Sequence, residues 1–347
     1  LLNCTCPNSG PAKGSAFALP LGGARKNMKT LLITAIAGDI AQGIATLVRE
    51  IYPDWRILGM DIHERHGGQI LVDQFFLAPR ADHPDYLDFL YQLIKKEQVQ
   101  ICIPMSEAEL KVLAMQESRH KPDLFWIHAN AKSIEIGSDK LETARFLASI
   151  GIPSPWSVDV FDLSDDIHFP CIFKPRQSAG SKSVFICNGP EEVNFLKQRY
   201  PHGILQELLL PADREVTCAL YRSQKTGETA LLQLLRSLTG GFTGWAEVID
   251  DDEIHSQAMK IAESLDLNGA INLQLRITEN GPRIFEINPR FSSTVLIRHR
   301  MGFQDVVWSI QDALGEQYHI FQPQKGLRGV RSHDARILKK AEEERNK

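Results

Sequence analysis

The residues best able to do chemistry lie in the stretch RIFEINPRFSST, residues 283–294. An apolar run there carries Glu286 and Asn288 and stops at Pro289-Arg290. Side chains alternate faces along a strand, so Glu286 and Asn288 project together, opposite Phe285 and Ile287. In the preceding run, INLQLRI, Asn272, Gln274 and Arg276 share one face and Leu273, Leu275 and Ile277 the other. The connection TENGP reads as a three-residue loop, Glu279-Asn280-Gly281, with Gly281 in the left-handed position. That register pairs Thr278 with Pro282, Gln274 with Glu286 and Asn272 with Asn288, and it sets Leu275 beside Phe285 on the core side. One face of the hairpin then gathers a carboxylate with amide oxygens. Oxygen donors carrying little negative charge suit Mg2+, which keeps waters and accepts the phosphate oxygens of a substrate. A half-exposed hairpin showing polar groups to water is the competing explanation.

A second group lies in IFKPRQSAGSKSVFI. Lys174 projects from the first of two apolar runs, which flank Ser178-Ala179-Gly180-Ser181-Lys182-Ser183. Such small residues let backbone N–H groups approach an anion closely. The loop does not open a helix and lacks the spacing of a Walker A motif, and small polar hairpin loops are common. The eleven histidines are scattered, and no Ser/His/Asp or Cys/His arrangement stands out.

Positioning these groups falls to two kinds of chain. Up to about residue 133, apolar runs alternate with amphipathic ones: KTLLITAIA, GDIAQGIATLVREIY, WRILGMDI, PDYLDFLYQLIKKEQ, VQICIPM and EAELKVLAMQESRH. Strand–helix alternation predicts a parallel, doubly wound sheet. The glycine turn after the first strand and Asp61 at the end of the second invite a dinucleotide reading, but Gly38-x4-Gly43 is not G-x-G-x-x-G. From about residue 134, SDKLETARFLASIG reads as a helix capped by Ser138 and ended by Gly151. Strand runs with few helices follow, which predicts an antiparallel α+β domain; ARILKKAEEERNK at the end reads as a solvated, charged helix.

Length and composition bound the rest. A chain of 347 residues is sized for two domains, at roughly 150 residues each. The net charge of −4 and the lack of a basic run argue against nucleic acid. No apolar stretch approaches the roughly 20 residues of a membrane span. Four of the six cysteines, Cys102, Cys171, Cys187 and Cys218, sit in apolar strand-like runs, which predicts buried reduced thiols and a cytoplasmic setting. Residues 1–27 lack periodicity and read as a leader or appended segment; Cys4 and Cys6 there are too few for a metal site.

Taken in order, SDK, FKPRQSAGSKSV, LQELLLPADREVT, INLQLRI and FEINPRFS resemble the ATP-grasp superfamily, particularly its carbamoyl-phosphate synthase large subunit-like branch. The resemblance implies a pre-ATP-grasp α/β domain over 28–133, with PMSEAEL as its proline-polar-acid turn. It implies an ATP-grasp domain of two subdomains over 134–320 (134–204 and 205–320), with 321–347 as a C-terminal tail. It implies ATP and Mg2+ (or Mn2+) as cofactors. Lys140 and Lys174 would contact phosphates, with Ser181 and Lys182 in the phosphate loop. Gln206, Glu207 and Leu208 would hold adenine through backbone groups, and Glu215 the ribose. Gln274, Glu286 and Asn288 would bind metal, and Arg290, with Lys174, would serve the transferred phosphoryl group. Arg236 would help hold phosphate or acid. The implied activity is carboxylate–amine ligation through an acyl phosphate, on small-molecule carboxylate and amine substrates, in a chain free to form a homodimer. A non-catalytic nucleotide-binding module and a synthase-like subunit of a larger assembly are the alternatives. The loops 178–183 and 239–244 are candidate lids. The phosphate loop has a single glycine, and PADRE replaces the more usual glycine before the ribose acid.

Overall fold

A computed structural model describes residues 28–115, 124–162, 167–177 and 183–332. The N-terminal strands β1 (Thr30–Ile33), β2 (Arg56–Asp61), β3 (Gln74–Leu77), β4 (Ile101–Ile103) and β5 (Phe125–Trp126) form one sheet in the order β3-β2-β1-β4-β5. Every pairing in it is parallel, as the strand–helix alternation predicts. Helices α1 (Asp39–Ile51), α2 (Tyr86–Lys96) and α3 (Glu107–Ala114) cover it. β1 is buried almost throughout, because helices shield both faces of such a sheet. β3 and β5 have no counterpart in the sequence reading, since both are short and only half-buried. Gly43 lies within α1, where an added Cβ would sit 2.8 Å from Val295 Cγ1. Close helix packing thus explains that glycine. Asp61 accepts from the backbone N–H groups of Ala37 and His63 and braces the loop after β1.

α4 (Ala131–Gly137) and α5 (Lys140–Ser149) lead to a four-stranded antiparallel sheet of β6 (Ser157–Asp159), β7 (Cys171–Pro175), β8 (Phe185–Cys187) and β9 (Gly203–Glu207), with α6 (Pro190–Arg199) between β8 and β9. Ser138 is not the cap of α5. It ends α4, and Asp139 caps α5 by accepting from the N–H groups of Leu141 and Glu142. Both residue types favour that position, and the preceding helix claims the first of them. Gly151 follows the helix at φ +63°.

The largest sheet contains β10 (Glu215–Arg222), β11 (Thr229–Thr239), β12 (Phe242–Ile249), β13 (Gly269–Thr278), β14 (Gly281–Asn288) and β15 (Arg328–Val330), in the order β14-β13-β10-β11-β12-β15. Val216, Cys218, Leu273, Leu275, Ile284 and Ile287 bury one of its faces against α7 (Asp252–Ser264). On the other face, Thr217 and Asn272 are followed by Ala219, Tyr221 and Ala270, which pack with Trp308 and Ile310 of α9 (Asp305–Leu314). That face therefore changes along its length from polar to apolar. α8 (Val295–Arg300) follows β14. Within 321–347, residues 328–330 form the edge strand β15; the charged stretch 335–347 lies outside the described residues, as do 1–27.

The β13–β14 hairpin corrects the expected turn. Thr278 pairs with Gly281, not Pro282, so the loop is Glu279-Asn280, and Leu275 pairs with Ile284. A bulge between 274 and 275 takes up one residue of β14, so Gln274 still faces Glu286 and Asn272 still faces Asn288. The two offsets cancel at the polar end. Phe285 is the extra residue. A bulge sets neighbouring side chains on one side of the strand, and Phe285 accordingly lines the cleft rather than the core, which Ile284 fills.

Candidate active site

The polar face of the hairpin forms one wall of a cleft between the two antiparallel sheets. Asn272, Gln274, Arg276, Glu286 and Asn288 line it from β13 and β14, Glu215 from β10, Arg236 and Leu238 from β11, and Lys174 and Ile172 from β7. Of the expected residues, the structure therefore gathers Lys140, Lys174, Gln206, Glu207, Glu215, Arg236, Gln274, Glu286, Asn288 and Arg290 around one space. Leu208 is not among the lining residues; Leu209 is. Ser181 and Lys182 lie outside the described residues.

The two lysines are brought together by the start of α5. The backbone N–H of Lys140 donates to the carbonyl of Arg176, just beyond β7, and the Arg176 guanidinium pairs with the capping Asp139. Burial alone would raise the Asp139 carboxyl, but Arg176 and the Leu141 and Glu142 amides hold it below the usual carboxylate range. Lys140 Nζ lies 3.8 Å from Glu286 Oε1. Lys174 is buried, with its Nζ 5.6 Å from the centre of the Phe285 ring. Burial pulls the Lys174 ammonium down to about 8, Glu286 offsets part of that, and Lys140 adds to it. A desolvated lysine with a depressed pKa favours any ligand that brings negative charge.

Glu215 sits between two arginines. Its Oε1 accepts from Arg236 Nε and Nη2, at 3.1 and 2.6 Å, and its Oε2 from Arg276 Nη2 at 2.8 Å. Arg236 Nη2 also donates to Gln274 Oε1 at 3.0 Å. One lone pair of the Gln274 oxygen is thereby taken by a cation. Glu286 and Asn288 differ. Glu286 contributes a carboxylate, and Asn288 is a buried amide whose Nδ2 has no hydrogen-bond partner among the described residues. An amide presents either its NH2 or its oxygen by a half-turn, so this pair fits a hard cation better than Gln274 does. No cluster of three or more His, Cys, Asp or Glu suited to a metal occurs among the described residues, which leaves mixed carboxylate and amide donors.

At the far end, Arg290 Nη2 pairs with Glu107 Oε1 at 3.0 Å, and Nη1 donates to the Phe291 carbonyl. Glu107 opens α3, inside the turn PMSEAEL, so a helix on the parallel sheet holds a cleft residue that follows β14. The sequence reading did not single out this partner, although the acidic turn was visible. The loop 239–244 is a hairpin tip. Thr239 pairs with Phe242, and Gly240 and Gly241 take φ of +60° and +87°, the signature of a two-residue turn. Gly241 and Phe242 close one side of the cleft. Glu207 spends its backbone N–H on the Trp156 carbonyl. Cys102, Cys171, Cys187 and Cys218 are free and buried, as expected. No helix among the described residues is long and apolar enough to cross a membrane.

Comparison with known proteins gives the following. Residues 210–334 match the family described as "ATP-grasp in the biosynthetic pathway with Ter operon". Residues 31–123 match the "PylC-like, N-terminal domain". A carbamoyl-phosphate synthase of Methanobrevibacter smithii is 22% identical over 243 residues, 65% of each chain. A D-alanine–D-alanine ligase of Thermotoga petrophila is 33% identical over 112 residues, 31% of this chain and 37% of its own. The chain thus spans less than two thirds of these relatives. The biotin carboxylase domain of the Hydrogenobacter thermophilus 2-oxoglutarate carboxylase, solved with MgADP, ADP and bicarbonate, superposes at a TM-score of 0.69 with 15% identity, over 88% of this chain and 74% of that one.

Proposed function

Because the chain belongs to the ATP-grasp superfamily, we propose that it is an ATP-dependent carboxylate–amine ligase working through an acyl phosphate. The observation that carries this reading is the pairing, across one cleft, of two lysines with a carboxylate and a buried amide. Lys140 and Lys174 take the phosphates of ATP. Glu215 faces the ribose, and Gln206, Glu207 and the chain after them border the adenine. Glu286 and Asn288, with Gln274 once Arg236 releases it, hold Mg2+ (or Mn2+), which neutralises phosphate charge when bound. A substrate carboxylate attacks the γ-phosphorus, the bond to ADP breaks, and an acyl phosphate forms. The nitrogen of an amine then attacks the acyl carbon, phosphate leaves, and the amine loses a proton. Phosphoryl transfer needs positioning and charge neutralisation more than covalent help. The planar donors of Arg290, oriented by Glu107, suit the charge that develops on the carboxylate and phosphoryl oxygens.

One observation favours a second reading, a nucleotide-binding module without turnover: Arg236 occupies both Glu215 and the Gln274 oxygen. A screen of acids and amines for phosphate release from ATP and Mg2+ decides between them. The ligase reading expects acid-dependent release that Glu286→Ala lowers by about 100-fold or more. ATP binding without acid-stimulated release supports the module, and full activity in Glu286→Ala removes the metal assignment.

A further inference from the structure

The turn 288–291 has two sides. Asn288 faces the cleft, whereas Pro289 and Phe291 help wall a second, smaller cavity, and Arg290 borders both spaces. The second cavity lies between the β5 end of the parallel sheet and α9. Asp312 lines it from α9 and is buried. Its carboxylate accepts from Ser223 Oγ at 2.8 Å, from the Gln224 backbone N–H at 2.8 Å and from the Tyr318 hydroxyl at 3.3 Å. All three donors are neutral. Among the described residues, no lysine or arginine lies within ion-pairing distance of Asp312. The aromatic residues Trp126, His128 and Tyr221 line the same cavity. The positive charge of Arg290 is already matched by Glu107.

A buried carboxylate without a counter-charge favours a cation, and aromatic faces add attraction for an ammonium group. We infer that this cavity binds a small primary amine as its ammonium ion, held by Asp312 and flanked by Trp126 and Tyr221. An anion would meet the Asp312 carboxylate, and a neutral molecule would leave it unmatched. Because Arg290 borders both spaces, the bound amine waits beside the reacting cleft. Its role as the nitrogen partner of the ligation rests on the function proposed above; the binding itself does not.

Calorimetric titration of the full chain with propylammonium chloride, 1-propanol and sodium propionate tests the inference. Propylammonium binds saturably and at least about tenfold more tightly than 1-propanol, a gap of about 1.4 kcal/mol, and propionate does not bind. Asp312→Asn lowers the propylammonium affinity at least about tenfold. Since that change also touches the Ser223–Gln224 turn, Trp126→Leu serves as the second variant and weakens binding about two- to fivefold through the lost aromatic face. Equal binding of 1-propanol, unchanged affinity in both variants, or no saturable binding up to about 10 mM overturns the inference. ATP is titrated in parallel. A chain that binds ATP but no amine sinks the ammonium site alone, and one that binds amine but no ATP sinks the reading of the cleft.

Discussion

Lys174 concentrates the electrostatic logic of the cleft. Its side chain is buried, and its ammonium titrates near 8 because burial disfavours charge more than Glu286 restores it. In the folded chain the neutral form is therefore reached at lower pH than in the unfolded one. Stability of the empty protein accordingly rises as pH climbs from about 8 towards the ordinary lysine value. Nucleotide phosphates act the other way, since they favour the charged form. At pH values just above 8, ATP binding is expected to take up a proton, and affinity is expected to fall as pH rises further. Calorimetry in buffers of different ionisation enthalpy reads that uptake directly. Lys174→Met should abolish it, and ATP binding with no proton uptake in the wild-type chain would contradict the assignment. Glu215 makes a related point. The resemblance marks it as the ribose acid, but not that Arg236 and Arg276 hold it from both sides.

Among the elements, the β13–β14 hairpin shows what a sequence pattern reveals and what it hides. Alternation placed Asn272, Gln274, Glu286 and Asn288 on one face, and the structure keeps those pairs. Alternation also assigned Phe285 to the core. The bulge overrides it, and no residue type announces a bulge in advance. The two placements differ measurably in stability. Ile284→Ala, in the core, is expected to cost about 2–5 kcal/mol, and Phe285→Ala, at the cleft, under about 2 kcal/mol. Phe285→Ala should instead weaken ATP binding, because the ring backs Lys174. Denaturant unfolding of both variants checks this; equal losses would return Phe285 to the core. The strand β12 was missed for another reason: the glycines of TGGFTGW suggested a lid, while the positive φ values of Gly240 and Gly241 make the tight turn of a long hairpin.

For the whole molecule, the parallel sheet followed by antiparallel sheets was legible because burial on two faces and burial on one leave different hydrophobic periods. The contacts that join the parts were not, since they depend on side chains far apart in sequence. Glu107 meets Arg290 across 183 positions. Arg331, beyond β15, pairs with Asp39 in the first turn of α1, donates to the Ser293 carbonyl and reaches the Thr243 carbonyl at 3.2 Å. The cleft is thus assembled from both ends of the described chain, around the site proposed for ATP and a divalent cation. Titration of ATP with and without Mg2+, in the wild-type chain and in Glu286→Gln, tests that claim most directly. The account predicts binding that Mg2+ tightens at least about tenfold in the wild type, with most of that gain lost in the variant. Equal affinity with and without Mg2+, or an undiminished Mg2+ effect in Glu286→Gln, would contradict it.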